Sequence, residues 1–373
     1  MSPMRIANIL NLGIKELRGL ARDPILLVLV AYSFTLSIYT AATAMPETLN
    51  RAAIAIVDED HSPVSSRIVT ALYPPFFVPP KLITQAEMDA RMDAGLDTFA
   101  LDIPPNFQRD LLAGKSPTIQ LNVDATRSAQ AFTGGGYVQA IVSAEVTEFL
   151  NRYRGTTKVP VDLALRARFN PELNKGWFGA ISNIISSITM LAIVLTGAAL
   201  IREREHGTIE HLLVMPVTPL EIMISKIWSM GLVVLIASSV ALVVVVQGLL
   251  NIPIAGSLLL FMLGTALMLF ATTSLGIFLA TIAGSMPQFG LLLMLVLLPL
   301  QVLSGTMTPR ESMPDVIQYL MLAAPNTHFV MLAQAVLFRG AGLGVVWPQL
   351  LALILIGTVL FALALRRFRQ FLR

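Results

Sequence analysis

The chain has 373 residues, of which 55% are hydrophobic and only 13% charged. Soluble domains carry roughly 25% charged residues, so a mean hydropathy of +0.72 excludes a water-soluble globule. The formal net charge of +3 is scattered, without a basic stripe of interleaved aromatics, which excludes a nucleic-acid binder. The absence of cysteine excludes disulfides, thiolate metal sites and cysteine nucleophiles.

Residues 1–23 form the first element. Ile and Leu alternate with Lys15, Arg18 and Arg22, the pattern of a cytoplasmic amphipathic helix lying on the membrane surface. Asp23 followed by Pro24 predicts an N-cap and a first helical proline. The apolar run 24–45 then matches the roughly 20 residues of a bilayer span. It lacks a small-residue cleavage site and reads as a retained signal anchor.

Residues 46–175 have an ordinary soluble composition. Strand-like runs at 52–57, 81–84, 97–103 and 118–124 alternate with helix starts at Ser62-Pro63, at the capping box Thr84-x-x-Glu87, after Pro104-Pro105 and near 128. That alternation predicts a compact α/β domain. Gly134-Gly135-Gly136 is expected to interrupt its last helix, near 128–151. A P-loop-like AGKS at 113–116 lacks the earlier glycine, Arg109 standing in that place, and reads as an ordinary turn.

The region 176–373 predicts five more spans, near 177–201, 222–248, 255–283, 288–304 and 346–365, the fourth of these short for a crossing. Segment 305–345 is broken by Pro309, Pro314 and Pro325. It reads as short re-entrant helices on the outer side or, alternatively, as a surface loop. Arg366, Arg367, Arg369 and Arg373 close the chain without an acid, and the N-terminal tail is also basic. Both termini are therefore expected in the cytoplasm. The expected fold class is an α-helical polytopic membrane protein with about six transmembrane helices and an inserted extracytoplasmic α/β domain.

The insert 202–226, with its segment 202–221 between two spans, is too elaborate for a simple reversal. Thr208 can cap a short helix with Glu210 in its first turn, and Ile209, Leu212 and Leu213 share one face. Pro216 ends that helix, and Thr218, Pro219 and Glu221 start the next span. An apolar helix face of this kind either docks a protein or rests on lipid. Lys226, in the first turn of the following span, is expected to snorkel to the interface.

The span interiors hold no Asp, Glu, Arg or His, which argues against an ion-coupled transporter. Thr272, Thr273, Ser274 and Gln301 are the polar groups expected along a pathway, although packing contacts are the commoner role of such groups. Neither metal-ligand spacing nor a nucleophile–base set is present, so no metal site and no catalytic residue is assigned.

The insert resembles the cytoplasmic coupling segment of the ABC type 2 permease family, the membrane subunits of ATP-driven exporters. The residues that carry the resemblance are Glu203, Glu205, Gly207, Thr208, Glu210, Leu212, Leu213, Pro216, Glu221 and Lys226, and Ile209 joins them as a coupling candidate through the apolar face. Run 56–68 is similar to the start of the large outer domain in the drug-exporter-like branch. The resemblance implies that these residues couple to a separate cytoplasmic ATPase, which supplies ATP and Mg; the chain itself would bind no cofactor. It also implies a second permease copy, identical or a paralogue, a periplasmic membrane-fusion adaptor, location in the bacterial inner membrane, and amphiphilic or hydrophobic cargo, drug-like or lipid-like. The competing reading is a membrane-anchored sensor with an extracytoplasmic ligand-binding domain. Its weakness is the shortness of the inner segments.

Overall fold

The computed structural model describes residues 5–43, 51–124, 128–154, 175–205, 207, 216–306 and 310–371. The chain forms two units: a helical one, Met1–Met45 with Ala167–Arg373, and a sheet-containing one, Pro46–Arg166. The sequence reading carried the second unit to residue 175.

The helical unit begins with α1 (Ile6–Ala21), a helix within the range expected for one. The first span starts as anticipated: Asp23 accepts a hydrogen bond from the Leu26 amide at 3.1 Å and Pro24 occupies the first turn. It is broken into α2 (Pro24–Phe34) and α3 (Leu36–Thr43). At the break, the Thr35 hydroxyl donates to the carbonyl of Ala31 at 2.6 Å, a back-bond that bends helices.

Helix α8 (Lys175–Glu205) is the central span. Its Ile181, Ile184, Ile185, Ile188, Leu191 and Ala192 are all buried. Helix α9 (Pro219–Val240) follows the capping box of Thr218 and Glu221 and runs on as a π-helix, Ala241–Leu249. Helix α10 (Leu258–Ile282) is capped by Ser257. Helix α11 (Met286–Val302) has 17 residues, about 25 Å at 1.5 Å per residue, short of the roughly 30 Å hydrocarbon core.

Two short helices follow, α12 (Asp315–Met321) and α13 (Pro325–Leu337), bent 90° from each other. Helix α13 is buried along Phe329, Val330, Leu332, Ala333 and Val336. The stretch is thus the short-helix alternative rather than a surface loop. Helix α14 (Leu343–Phe371) closes the unit.

Among the described residues, five helices are long and apolar enough to cross a membrane, or six if the bent pair counts as one. Helices α2, α11 and α14 leave apolar side chains such as Val28, Leu295 and Leu355 exposed. In lipid such a face costs little, because the tails are as apolar as the side chains.

The sheet unit has strands β1 (Ile54–Asp58), β2 (Lys81–Leu82), β3 (Phe99–Ile103) and β4 (Gln120–Val123), ordered β2-β1-β3-β4. Strand β1 is parallel to both neighbours, and β4 is antiparallel to β3. Ile54, Ile56, Phe99, Leu101 and Ile103 join one core with residues of α4 (Pro63–Ala71), α6 (Phe107–Leu112) and α7 (Ser128–Arg154). Val57 and Ala100 point the other way, onto Met88 of α5 (Gln85–Asp93), the two-residue alternation of a strand.

The glycine tract 134–136 does not interrupt α7, which runs unbroken through it. Packing of Val138 and Phe149 in the core, with Arg67 bridging to Glu145 and Glu148 at 2.8 and 3.1 Å, outweighs the roughly 0.5–1 kcal/mol that each helical glycine costs.

Candidate coupling site

Helix α8 ends in four consecutive charged residues, Arg202 to Glu205. Successive helical residues point about 100° apart, so the four fan outward, and each grips a different part of the helical unit. Arg202 pairs with Asp23 at the start of α2. Glu203 reaches Lys15 of α1 at 2.8 Å and Lys226 of α9 at 2.7 Å. Arg204 donates to the carbonyl of Ala283 at 2.9 Å and lies over the Phe371 ring, 5.0 Å from its centroid. Glu205 accepts the Met286 amide at 2.9 Å, satisfying a first-turn N–H of α11 whose own cap residue, Ser285, makes no side-chain bond.

Gly207 then stops α8. Its φ is +68 and its amide bonds to the Arg204 carbonyl at 3.1 Å. A left-handed residue just past a helix end favours glycine, which has no Cβ to clash. Thr208, Ile209, Glu210, Leu212 and Leu213, with the short helix expected there, lie outside the described residues. Pro216 is exposed, and its carbonyl accepts a bond from Asn8 Nδ2 at 3.5 Å.

Beyond the segment, Glu221 is fully buried. Its Oε2 accepts the Thr218 amide and hydroxyl at 2.6 and 2.9 Å, completing the expected capping box. Its Oε1 does more: it accepts the Arg5 amide at 2.7 Å and Asn8 Nδ2 at 3.3 Å, holding the start of α1.

Lys226 does not snorkel. It is 1% exposed, covered by α1, with its Nζ 2.9 Å from Glu16 and 2.7 Å from Glu203. Lys15 also faces Glu16 at 3.9 Å. Two lysines and two carboxylates thus form a neutral cluster, the arrangement that makes a buried charge tolerable. Burial raises the Glu16 carboxyl above its ordinary value, and Lys226 opposes that shift.

Two residues further along α9, Trp228 Nε1 donates to the Ile9 carbonyl at 3.2 Å. Its indole fills the place of a side chain at Gly13, where a Cβ would meet the ring at 2.0 Å. A glycine is required there for α1 to approach. Glu16, Lys15, Gly13 and Trp228 are members of the site that the sequence reading did not place in it. A signal was available: Glu16 is the one acid among the first 22 residues.

The residues expected along a pathway lie elsewhere in the helical unit, on α10 and α11. Thr272, Thr273 and Ser274 are fully buried in α10, and their hydroxyls return to the carbonyls of Met268, Leu269 and Phe270 at 2.8, 2.6 and 2.7 Å. Gln301 lies on α11, where its carbonyl accepts the Thr306 hydroxyl at 2.7 Å.

Comparison with known proteins agrees with this architecture. A family model described as ABC-2 family transporter protein matches residues 24–366. The chain is 62% identical over 365 residues to the inner membrane transport permease YhhJ of Escherichia coli K12, covering 98% of each chain. It is 26% identical to the probable multidrug ABC transporter permease YbhR of the same organism, covering 95% of this chain and 96% of that one. With the probable multidrug ABC transporter permease YbhS the identity is 25%, over 88% of each.

Proposed function

Because the chain belongs to the ABC-2 family of transporter proteins, we propose that it is the membrane subunit of an ATP-driven exporter, moved through segment 202–226 by a separate ABC ATPase. The observation that carries the reading is the fan of contacts at the root of that segment. Arg202, Glu203, Arg204 and Glu205 together hold α1, α2, α9, α11 and the C-terminal end of α14. A push delivered to the segment therefore reaches several spans at once.

In this reading the segment lies on the cytoplasmic side with both termini. The chain sits in a bacterial inner membrane, as the name of YhhJ says of that relative. Ile209, Leu212 and Leu213 supply the apolar docking face. Glu203, Glu221 and Lys226, all buried, act inside the permease by fastening the segment to α1. ATP and Mg belong to the ATPase: the chain's nearest P-loop-like run, 113–116, lacks the first glycine.

A second permease copy completes the pathway, and the sheet unit meets a periplasmic adaptor. The cargo is amphiphilic or hydrophobic, supported by span interiors free of acidic groups and by the multidrug names of YbhR and YbhS.

The test is co-purification. Leu212→Glu with Leu213→Glu should lower recovery of the ATPase about tenfold or more, since burying a charge against an apolar contact costs several kcal/mol, while membrane insertion is unchanged. Full recovery of the ATPase with both charges in place would refute the docking role.

A further inference from the structure

From Thr189, at the middle of α8, towards the end of that helix remote from Glu205, polar side chains are buried between α8, α11 and α13. Most are satisfied. Thr189 lies 2.6 Å from Asn326 Oδ1, and Asn326 Nδ2 donates to the Leu300 carbonyl at 2.9 Å. Ser304 and Thr306 share a hydrogen bond at 2.9 Å.

Two donors are not satisfied. Thr327 is fully buried, and its Oγ1 has no hydrogen-bond partner. The Nε of Arg310 is also buried without a partner. Its Nη1 meets the Met331 sulfur at 3.1 Å, a weak acceptor.

Both groups address one face. Thr327, Val330 and Met331 follow the i, i+3, i+4 spacing of a helix side. The Arg310 stem lies across Gly305 towards Val330: a Cβ at Gly305 would be 3.4 Å from Arg310 Cγ and 3.8 Å from Val330 Cγ1. Helix α13, of 13 residues, starts beside them with Ala324 at its N-cap and no side-chain cap. Its first-turn amides add positive potential there. A buried guanidinium N–H and a buried hydroxyl without acceptors, next to an uncapped helix start, define a place for an anion. Arginine suits the several oxygens of a phosphate.

We propose that Arg310 and Thr327 form a binding site for a phosphate group, carried by the headgroup of an anionic amphiphile or present as the free ion. The depth of the site favours the amphiphile. Ser182, whose hydroxyl donates to the Thr306 carbonyl at 3.4 Å, is 23 residues from Glu205 along α8, about 35 Å, enough to traverse a hydrocarbon core of roughly 30 Å. Helix α12 exposes Val316, Tyr319 and Leu320, the apolar face of a helix lying at a membrane interface. The site therefore sits near the level where headgroups meet hydrocarbon, on the face opposite the coupling segment.

The experiment needs no ATPase, so its failure is separate from failure of the exporter reading. The full-length permease, in discs of phosphatidylcholine, is titrated with short-chain phosphatidylglycerol and separately with inorganic phosphate, with bound phosphorus followed by NMR. Saturable binding is expected, at least about tenfold weaker in Arg310→Gln and about threefold weaker in Thr327→Val. Binding of the lipid alone identifies the headgroup as the source; binding of both probes identifies the phosphate group itself. No saturable binding of either probe, or equal binding by wild type and both variants, overturns the site. Should Arg310→Gln fail to fold, Thr327→Val, which keeps the side-chain volume, decides the matter.

Discussion

Lys226 illustrates how a single residue can be legible in kind and illegible in setting. One lysine at the start of an apolar span is visible in the sequence, and snorkelling is the ordinary fate of such a residue. Its carboxylate partner Glu16 stands 210 positions away, beyond the reach of any local pattern. The structure makes the consequence testable. Lys226→Met leaves Glu16 and Glu203 sharing Lys15 alone, one net negative charge in a buried place. Removing one partner of a buried pair costs about 3–5 kcal/mol. Glu16→Gln added to Lys226→Met restores neutrality, so the double variant should unfold at a higher temperature than Lys226→Met. If the double variant is the less stable of the two in detergent, the cluster is not the closed charge balance described.

Helices and strands were legible wherever their signals are local. The starts at Asp23-Pro24, Ser62-Pro63, Thr84-Glu87 and Thr218-Glu221 all occur where side-chain capping and proline placed them. The four strand runs overlap β1 to β4, although run 81–84 yields only the two residues Lys81–Leu82. The unbroken α7, the kink at Thr35 and the π-helix at Ala241–Leu249 were not legible, because packing and backbone competition over distance settle them. Asp23 combines both sorts of signal: its cap is local and its Arg202 partner is distant. The Leu26 amide, then Arg202, hold its carboxyl below the ordinary range. A depressed carboxylate adds stability above its unfolded pKa, about 3.9, and that stability is lost as pH falls through the folded value. Asn also caps helices, so Asp23→Asn removes the charge and keeps the cap. Wild type should be the more stable at pH 7, with the gap closing below about pH 4. A gap that is constant with pH would show that Arg202 contributes nothing through charge.

For the whole molecule, the decisive feature is that both roots of segment 202–226 are fastened to the same helix. Glu203 leaves α8 for Lys15, while Glu221 and Lys226 leave α9 for Arg5, Asn8 and Glu16. Motion of the segment relative to the spans thus requires α1 to move with it, and α1 leads into the first span through Asp23. The absence of native cysteine makes this mechanical claim open to direct trial. Asn8→Cys with Glu221→Cys places thiols at two positions whose native side chains are 3.3 Å apart. A short bifunctional maleimide would then join α1 to the start of α9 and nothing else. Under the exporter reading proposed above, if α1 travels together with α9, the joined protein should still co-purify with the proposed ATPase and lose little transport. If α1 must slide over α9 for each cycle, the join should stop transport and leave co-purification intact. The buried ion pairs favour the first result, because sliding would expose Lys226 and Glu203 to separation at a cost of several kcal/mol per charge. Full arrest by the crosslink, with activity retained by the same variant left unmodified, would show that the contacts at α1 are broken and remade during transport.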